Sequence, residues 1–260
     1  GGGVTRMLPL FEAKMIHLYD TRWATYEPDG SIRPMTEEEK ATRPSPMPRY
    51  WVPESDVDRK LAGRWDKNWF LGWRDICRAT DERTSISTVL PRVALGNKIP
   101  VAMPDCSLAQ ATMLQAALAS FALDFAARQK LGSITMNYFV FMQLPVLRPD
   151  AFSRSDLLVR GGLSAWLSRR VDRLNGWIAD EQERGWVRAE IDAAVFHLFG
   201  LSRDEVSYVM DTFPIVKRKD EAAFGTYRTK DLILSAYDAM AEAKSSGLTY
   251  QPPWPQEVRA

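Results

Sequence analysis

The sequence predicts an α+β protein, with a mixed or antiparallel β-sheet and packed helices over residues 1–150 and an all-α part over residues 151–260. The first of two supporting observations is a change of period. Several segments before residue 150 place apolar side chains at alternate positions, the repeat of a half-buried strand, whereas later segments space them by three and four, the repeat of a helix. The second is bulk. With 45% hydrophobic residues in 260, including nine Trp and eleven Phe, the chain can bury one large core or two modest ones.

Residues 10–26 alternate apolar and aromatic side chains with polar ones and read as a strand or hairpin. Residues 28–49 hold five of the sixteen prolines and the run Glu37-Glu38-Glu39-Lys40, which predicts a solvated surface excursion. Tyr50-Trp51-Val52 reads as a short strand, and Val57 and Leu61 set a helical spacing within residues 54–65. Residues 69–79 and 85–103 read as two strands. Between them the polar corner Thr80-Asp81-Glu82-Arg83-Thr84 suggests a hairpin whose tip projects outward, and Gly96-Asn97 bends the second strand. Ser107 is placed to cap a helix carrying Leu114, Leu118, Phe121 and Phe125, which Gly132 ends. Alternation resumes over residues 134–146 and stops at Leu144-Pro145-Val146, because proline cannot donate to a central ladder.

Beyond Pro149 the strand patterns vanish. Helices are expected over residues 158–177 and 186–198, the latter closed by Gly200. The capping-box pattern Ser202-Arg203-Asp204-Glu205 opens a third helix through Met210, and residues 231–244 make a fourth. No internal repeat is visible, and Gln251-Pro252-Pro253-Trp254-Pro255 reads as an irregular end.

Lys and Arg total 34 against 33 Asp and Glu, so attraction to a polyanion must come from local clustering rather than a global field. Cys77 and Cys106 are too few for a disulfide framework, which fits a reducing cytoplasm. No stretch approaches about 18 uninterrupted apolar residues and no apolar signal core is visible, so neither secretion nor membrane insertion is expected. Gly1-Gly2-Gly3, followed closely by Leu8-Pro9-Leu10-Phe11, reads as a cut end of a protein that extends upstream.

Catalytic patterns are sparse. Only His17 and His197 could serve as a triad imidazole, and neither lies in a nucleophile-elbow context. His197 sits within an apolar helix face and reads as a packing residue; His17 reads the same way, with phosphate contact as its alternative. Two cysteines and two lone histidines do not approach a closed zinc set. The Glu-x-Lys element used by magnesium nucleases occurs at Glu12-Ala13-Lys14, Glu38-Glu39-Lys40 and Glu242-Ala243-Lys244. Three matches to so short a pattern point instead to solvated edges and faces. No glycine-rich loop follows a strand: Gly161-Gly162 lies within helical sequence, and Gly1 to Gly3 has no strand before it, so this chain is not expected to bind S-adenosylmethionine. Gln251-Pro252-Pro253-Trp254 is the nearest approach to the Asn/Asp-Pro-Pro-aromatic motif of adenine methyltransferases, with the wrong first residue.

One region combines basic and aromatic side chains. Arg64, Lys67, Arg74, Arg78, Arg83 and Arg92 interleave with Trp65, Trp69 and Trp73 along the expected hairpin. Guanidinium forks bind guanine O6/N7 or phosphate in bidentate fashion, and carboxylates accept from cytosine N4, so Asp81, Glu82, Arg83 and Thr84 form a plausible reading set. The alternative is an exposed turn with internal ion pairs worth under about 1 kcal/mol each.

Several longer segments resemble one family. FEAKMIHLYDTRWATY (11–26), RYWVP (49–53), FLGWRDICRATDERT (70–84), LPRVALGN (90–97), FALDFAARQKLG (121–132), NYFVFMQLPVL (137–147) and the stretch from His197 to Met240 occur in the order found in the C-terminal region of type IIG-like restriction-modification methyltransferases, including the TaqI-like specificity domain. The resemblance covers most of the chain. It implies that residues 1–150 form a target-recognition domain and residues 151–260 a helical C-terminal subdomain. It also implies that an adenine-N6 methyltransferase domain, joined in some members by a nuclease domain, lies upstream and holds S-adenosylmethionine. This chain would then bind double-stranded DNA without catalysing the transfer. Arg74, Arg78, Asp81, Glu82, Arg83 and Thr84 would face the major groove, with Arg92 on the same hairpin. The basic residues of Phe213-Pro214-Ile215-Val216-Lys217-Arg218-Lys219-Asp220, above all Lys217 and Arg218, would clamp phosphate or simply cover the surface.

Two rival expectations stand beside this one. Residues 153–245 would dock on the missing domain or a partner subunit, presenting Trp166, Trp177 and Trp186. An independent nuclease would need magnesium-dependent cleavage that is lost on Glu38→Ala.

Overall fold

The chain is α+β. The computed structural model describes residues 5–255. In order, these contain β1 (Met7–Phe11), a 3-10 turn (Ala13–Met15), β2 (Ala24–Tyr26), β3 (Ile32–Pro34), α1 (Glu37–Thr42), β4 (Trp51–Pro53), α2 (Glu54–Leu61), β5 (Trp69–Trp73), β6 (Ser87–Pro91), β7 (Ala94–Leu95) and β8 (Val101–Ala102). Helices follow: α3 (Leu108–Ala119), α4 (Phe121–Lys130), α5 (Tyr138–Phe141), α6 (Pro149–Ser153), α7 (Leu163–Gly176), α8 (Glu181–Leu198), α9 (Arg203–Asp211), α10 (Pro214–Phe224) and α11 (Arg228–Ser246). Gly1 to Gly3 lie outside the described residues.

The strands form three small sheets rather than one. In the first, β1 pairs antiparallel with β4 and parallel with β7; β2 and β3 make a two-stranded ribbon; β5 lies between β6 and β8, both antiparallel to it. The β5–β6 register runs from Trp69 opposite Pro91 to Trp73 opposite Ser87. Gly72 is required there, because a Cβ would stand 2.6 Å from Leu90 Cδ1 and 3.0 Å from Ile99 Cγ2, both side chains buried.

Three expected elements are corrected. Residues 10–26 are extended only at their ends. Met15, Ile16, Leu18 and Tyr19 between them are buried in an irregular segment, joined by a bridge between His17 and Asp20. Residues 28–49 are not simply a solvated loop: Thr36 caps α1 with its side chain, and Lys40 is buried against Asp20 at 2.8 Å. Residues 134–146 hold an isolated antiparallel bridge from Thr135 to Ile76 and the short helix α5 rather than a continuous strand; Asn137 caps α5, and Phe141 stacks on Trp73 with centroids 3.8 Å apart.

The helix begun at Ser107 is divided. Ser107 forms the expected capping box with Gln110, but Ser120 leaves the helical conformation and caps a second helix. A tertiary contact holds the break: Asp192 of α8 accepts the backbone N–H of Phe121 at 2.7 Å. Gly161 and Gly162 lie just outside α7 at positive φ rather than within it. The Ser202 capping box is present, and Gly200 closes α8 with positive φ. Pro214 at the first position opens α10, a helix that no apolar period announced.

Three core clusters result. One joins β1, β7 and α2 through Phe11, Val57 and Leu61, and another packs β5 against α4 through Trp73, Leu123 and Met136. The largest takes Leu18, Tyr19 and Ile86 together with α3, α7, α8, α9 and α11, so it draws side chains from both sides of residue 150. Among the described residues no helix is long and apolar enough to cross a membrane.

Candidate nucleic-acid interface

The segment between β5 and β6 does not project. It folds back onto α4, and its centre is a buried carboxylate. Asp124, fully inaccessible, accepts from Arg83 Nε at 2.7 Å, from Arg128 Nε at 3.1 Å and from the Thr84 backbone N–H at 3.0 Å. Arg83 also donates to the Ala119 carbonyl and lies 4.0 Å over the Phe121 ring, while Arg128 lies 4.0 Å over Phe213. Thr84 is buried and its hydroxyl donates to the Arg78 carbonyl at 2.8 Å. The expectation of an outward tip is therefore corrected, for a physical reason. A carboxylate at the α3–α4 junction offers these donors a stronger, desolvated partner than water.

The other candidates divide between the interior and the surface. Arg74 donates to the Ile16 carbonyl, and Arg92 pairs with Asp58 in α2. Asp81 accepts from the Arg78 backbone N–H at 2.9 Å. Glu82 pairs with Lys219 of α10. Arg78, Lys217 and Arg218 are exposed, Lys217 with Glu221 as a 4.0 Å neighbour. The Glu82–Lys219 pair spans 137 residues of sequence and brings the Arg78 loop and the basic turn of α10 onto one surface. Arg128 fastens the same loop by donating to the carbonyls of Asp81 and Glu82 at 2.7 and 3.1 Å.

Beside this junction lies a cavity of about 390 Å³, walled by His17 to Asp20, Trp23, Trp177 and the polar faces of α8, α10 and α11. His17 stacks on Trp23 at 4.3 Å, and burial together with Arg74 and Arg188 holds its imidazole well below the usual pKa. Lys40 lies 4.3 Å over the Trp177 ring, as does Arg184. Asp192 at the inner wall has its carboxyl raised to about 6 by burial. Sequence reasoning did not single out Arg184, Arg188 or Arg228. The available signal was a polar stripe, Arg184, Arg188 and Asp192 at four-residue spacing, interrupting the apolar helix α8.

His197 packs between helices, stacked on Tyr237 at 3.9 Å with Nε2 3.0 Å from the Tyr237 carbonyl. Trp254 stacks parallel to Trp186 at 5.9 Å, a packing role for the Gln251-Pro252-Pro253-Trp254 segment. Gly161 and Gly162 precede α7 and follow no strand among the described residues. No protein-family model matches the chain, and neither the curated proteins nor the solved structures include one similar to it.

Proposed function

We propose that this chain is the DNA-recognition part of a restriction-modification enzyme that methylates adenine N6 with S-adenosylmethionine, the catalytic domain being a separate upstream part of the same protein. Residues 1–150 would serve as the recognition domain and residues 151–260 as a helical subdomain that supports it. The observation that carries the reading is the meeting of two distant basic segments on one surface. Arg78 stands on a loop fixed by Asp124 and Arg128, and Lys217 and Arg218 stand on the helix bound to that loop through Lys219 and Glu82. An exposed arginine on a loop held by its backbone, on the same surface as a basic helix turn, suits phosphate anchoring combined with groove contacts. Half-buried Arg74 and Arg83 and buried Thr84 then act as supports of that surface, while Asp81 and Glu82 set its shape.

Selection of bound duplexes from a random-sequence pool at two salt concentrations tests the reading. Enrichment of one short motif supports it; salt-sensitive binding without enrichment reduces it to an electrostatic surface, and absence of binding overturns it for the isolated chain.

A second reading, a docking module, is favoured by one observation. Phe139 and Met142, 71% and 75% accessible, stand with Tyr138, Ile134 and Ile76 on and around α5. That apolar surface lies before residue 150. In residues 153–245, Trp166 and Trp186 are core residues and offer no docking face.

A further inference from the structure

Six cationic side chains face the 390 Å³ cavity, and four of them are matched. Lys40 sits on Asp20 at 2.8 Å, Arg184 on Glu37 at 3.6 Å, Lys219 on Glu82, and Arg83 on Asp124 at 2.7 Å. Arg188 and Arg228 are not matched: among the described residues, neither has a carboxylate within 4.0 Å or an acceptor for its guanidinium N–H groups. The remaining acids of the wall do not answer them. Asp192 accepts from the Phe121 backbone and Asp220 from the Thr229 backbone, and Glu181 is exposed in the first turn of α8.

Arg188 is solvent-accessible and lines the cavity, where desolvation by the neighbouring protein pushes its pKa down. Arginine cannot shed its proton to relieve such a position, so an uncompensated guanidinium there favours an incoming anion. Arg228 reaches the same spot. Its Nη2 lies 3.4 Å from where a Cβ would stand on Gly185, and Gly185 and Arg188 are one turn apart on the same face of α8. Glycine within a helix weakens it, and here its absent side chain leaves room for the Arg228 guanidinium.

Two independent features mark the same cavity. Tyr19 and Trp177, at φ of 58° and 90°, are the non-glycine residues held at positive φ among those described, and both line it. Strained backbone of this kind persists where the surroundings over-determine it and gathers at ligand sites. Trp177 also keeps its indole N–H buried without an acceptor.

We propose that this cavity binds a phosphate-bearing ligand of mononucleotide size or smaller, with the phosphate held between Arg188 and Arg228. Two guanidinium forks from neighbouring helices match the oxygens of one phosphate in bidentate fashion, and the volume falls in the range of small-molecule sites. A free nucleotide and a phosphate of a nucleic-acid strand present the same chemistry. The cavity shares Glu82, Arg83 and Lys219 with the supports of the Arg78, Lys217 and Arg218 surface, but its phosphate partners Arg188 and Arg228 take no part in that surface, so their variants test this site separately from the reading of that surface.

The test is calorimetric titration of the whole chain with inorganic phosphate and with AMP, alongside Arg188→Gln, Arg228→Gln and the exposed control Arg59→Gln in α2, each first shown to unfold cooperatively on heating. The expected result is saturable one-to-one binding that weakens by about tenfold or more in each cavity variant and stays unchanged in the control. Absence of saturable binding by both probes overturns the proposal, as does equal binding by the wild type and the cavity variants. Short-duplex binding then assigns the source. Weakening in Arg188→Gln means that the phosphate belongs to a strand, and duplex binding unaffected by that change means a free nucleotide.

Discussion

Arg83 donates Nε to the Asp124 carboxylate at 2.7 Å, and both side chains are withdrawn from solvent. Arg128 closes the other side of the same carboxylate at 3.1 Å, so one buried anion compensates two guanidinium groups. Removing a partner from such an arrangement leaves an unpaired charge inside the protein, which costs far more than losing an exposed ion pair.

Asp124→Ala is accordingly expected to destabilise the fold by about 3–5 kcal/mol, read by urea unfolding. A loss below about 1 kcal/mol would mean that water screens the cluster, and that the loop between β5 and β6 is not held as described.

Arg78, Lys217 and Arg218 should separate by their effects on DNA. Lys217→Ala and Arg218→Ala are expected to weaken all duplexes alike and to lower the slope of log affinity against log salt by roughly one each. Arg78→Ala is expected to relax preference at one base position at a cost of about 1–3 kcal/mol, seen by repeating the duplex selection with the variant. An unchanged selected motif would place Arg78 on phosphate instead.

Asp192 makes stability depend on pH in an unusual direction for a carboxylate. Burial raises its folded pKa to about 6 from an ordinary value of 3.8, so the folded state binds this proton more tightly than the unfolded chain does. Its contribution is full below pH 3.8 and is lost as pH rises through about 6. Asp192→Asn keeps an acceptor for the Phe121 N–H and removes the titration. The stability difference, wild type minus variant, should therefore fall between those limits in denaturant unfolding at several pH values; a flat difference would contradict the shift.

Gly72→Ala inserts a methyl 2.6 Å from Leu90 Cδ1 in a region where Leu90 is fully buried. Overpacking of this kind costs about 1–3 kcal/mol, measurable as a lower midpoint of thermal unfolding. An unchanged midpoint would show that Leu90 and Ile99 can yield.

The sequence by itself determined the elements whose signals are local. The Ser107 and Ser202 capping boxes, Gly200 after α8, the β4–α2 unit and the antiparallel pairing of the two runs around residue 80 follow from short-range hydrogen bonding and apolar period. What the tertiary structure decided is where polar side chains point. Ser120 breaks a helix that its period would continue, because Asp192, 72 positions along the chain, is there to accept the next N–H. Lys40 leaves an apparently solvated run for a buried pair with Asp20, and Arg83 turns from an expected tip to Asp124. A charged residue reads as exposed from its neighbours in sequence because burying a charge alone is costly. Only the fold brings the distant opposite charge that makes burial tolerable, and among the described residues the fold leaves Arg188 and Arg228 without a carboxylate within 4.0 Å.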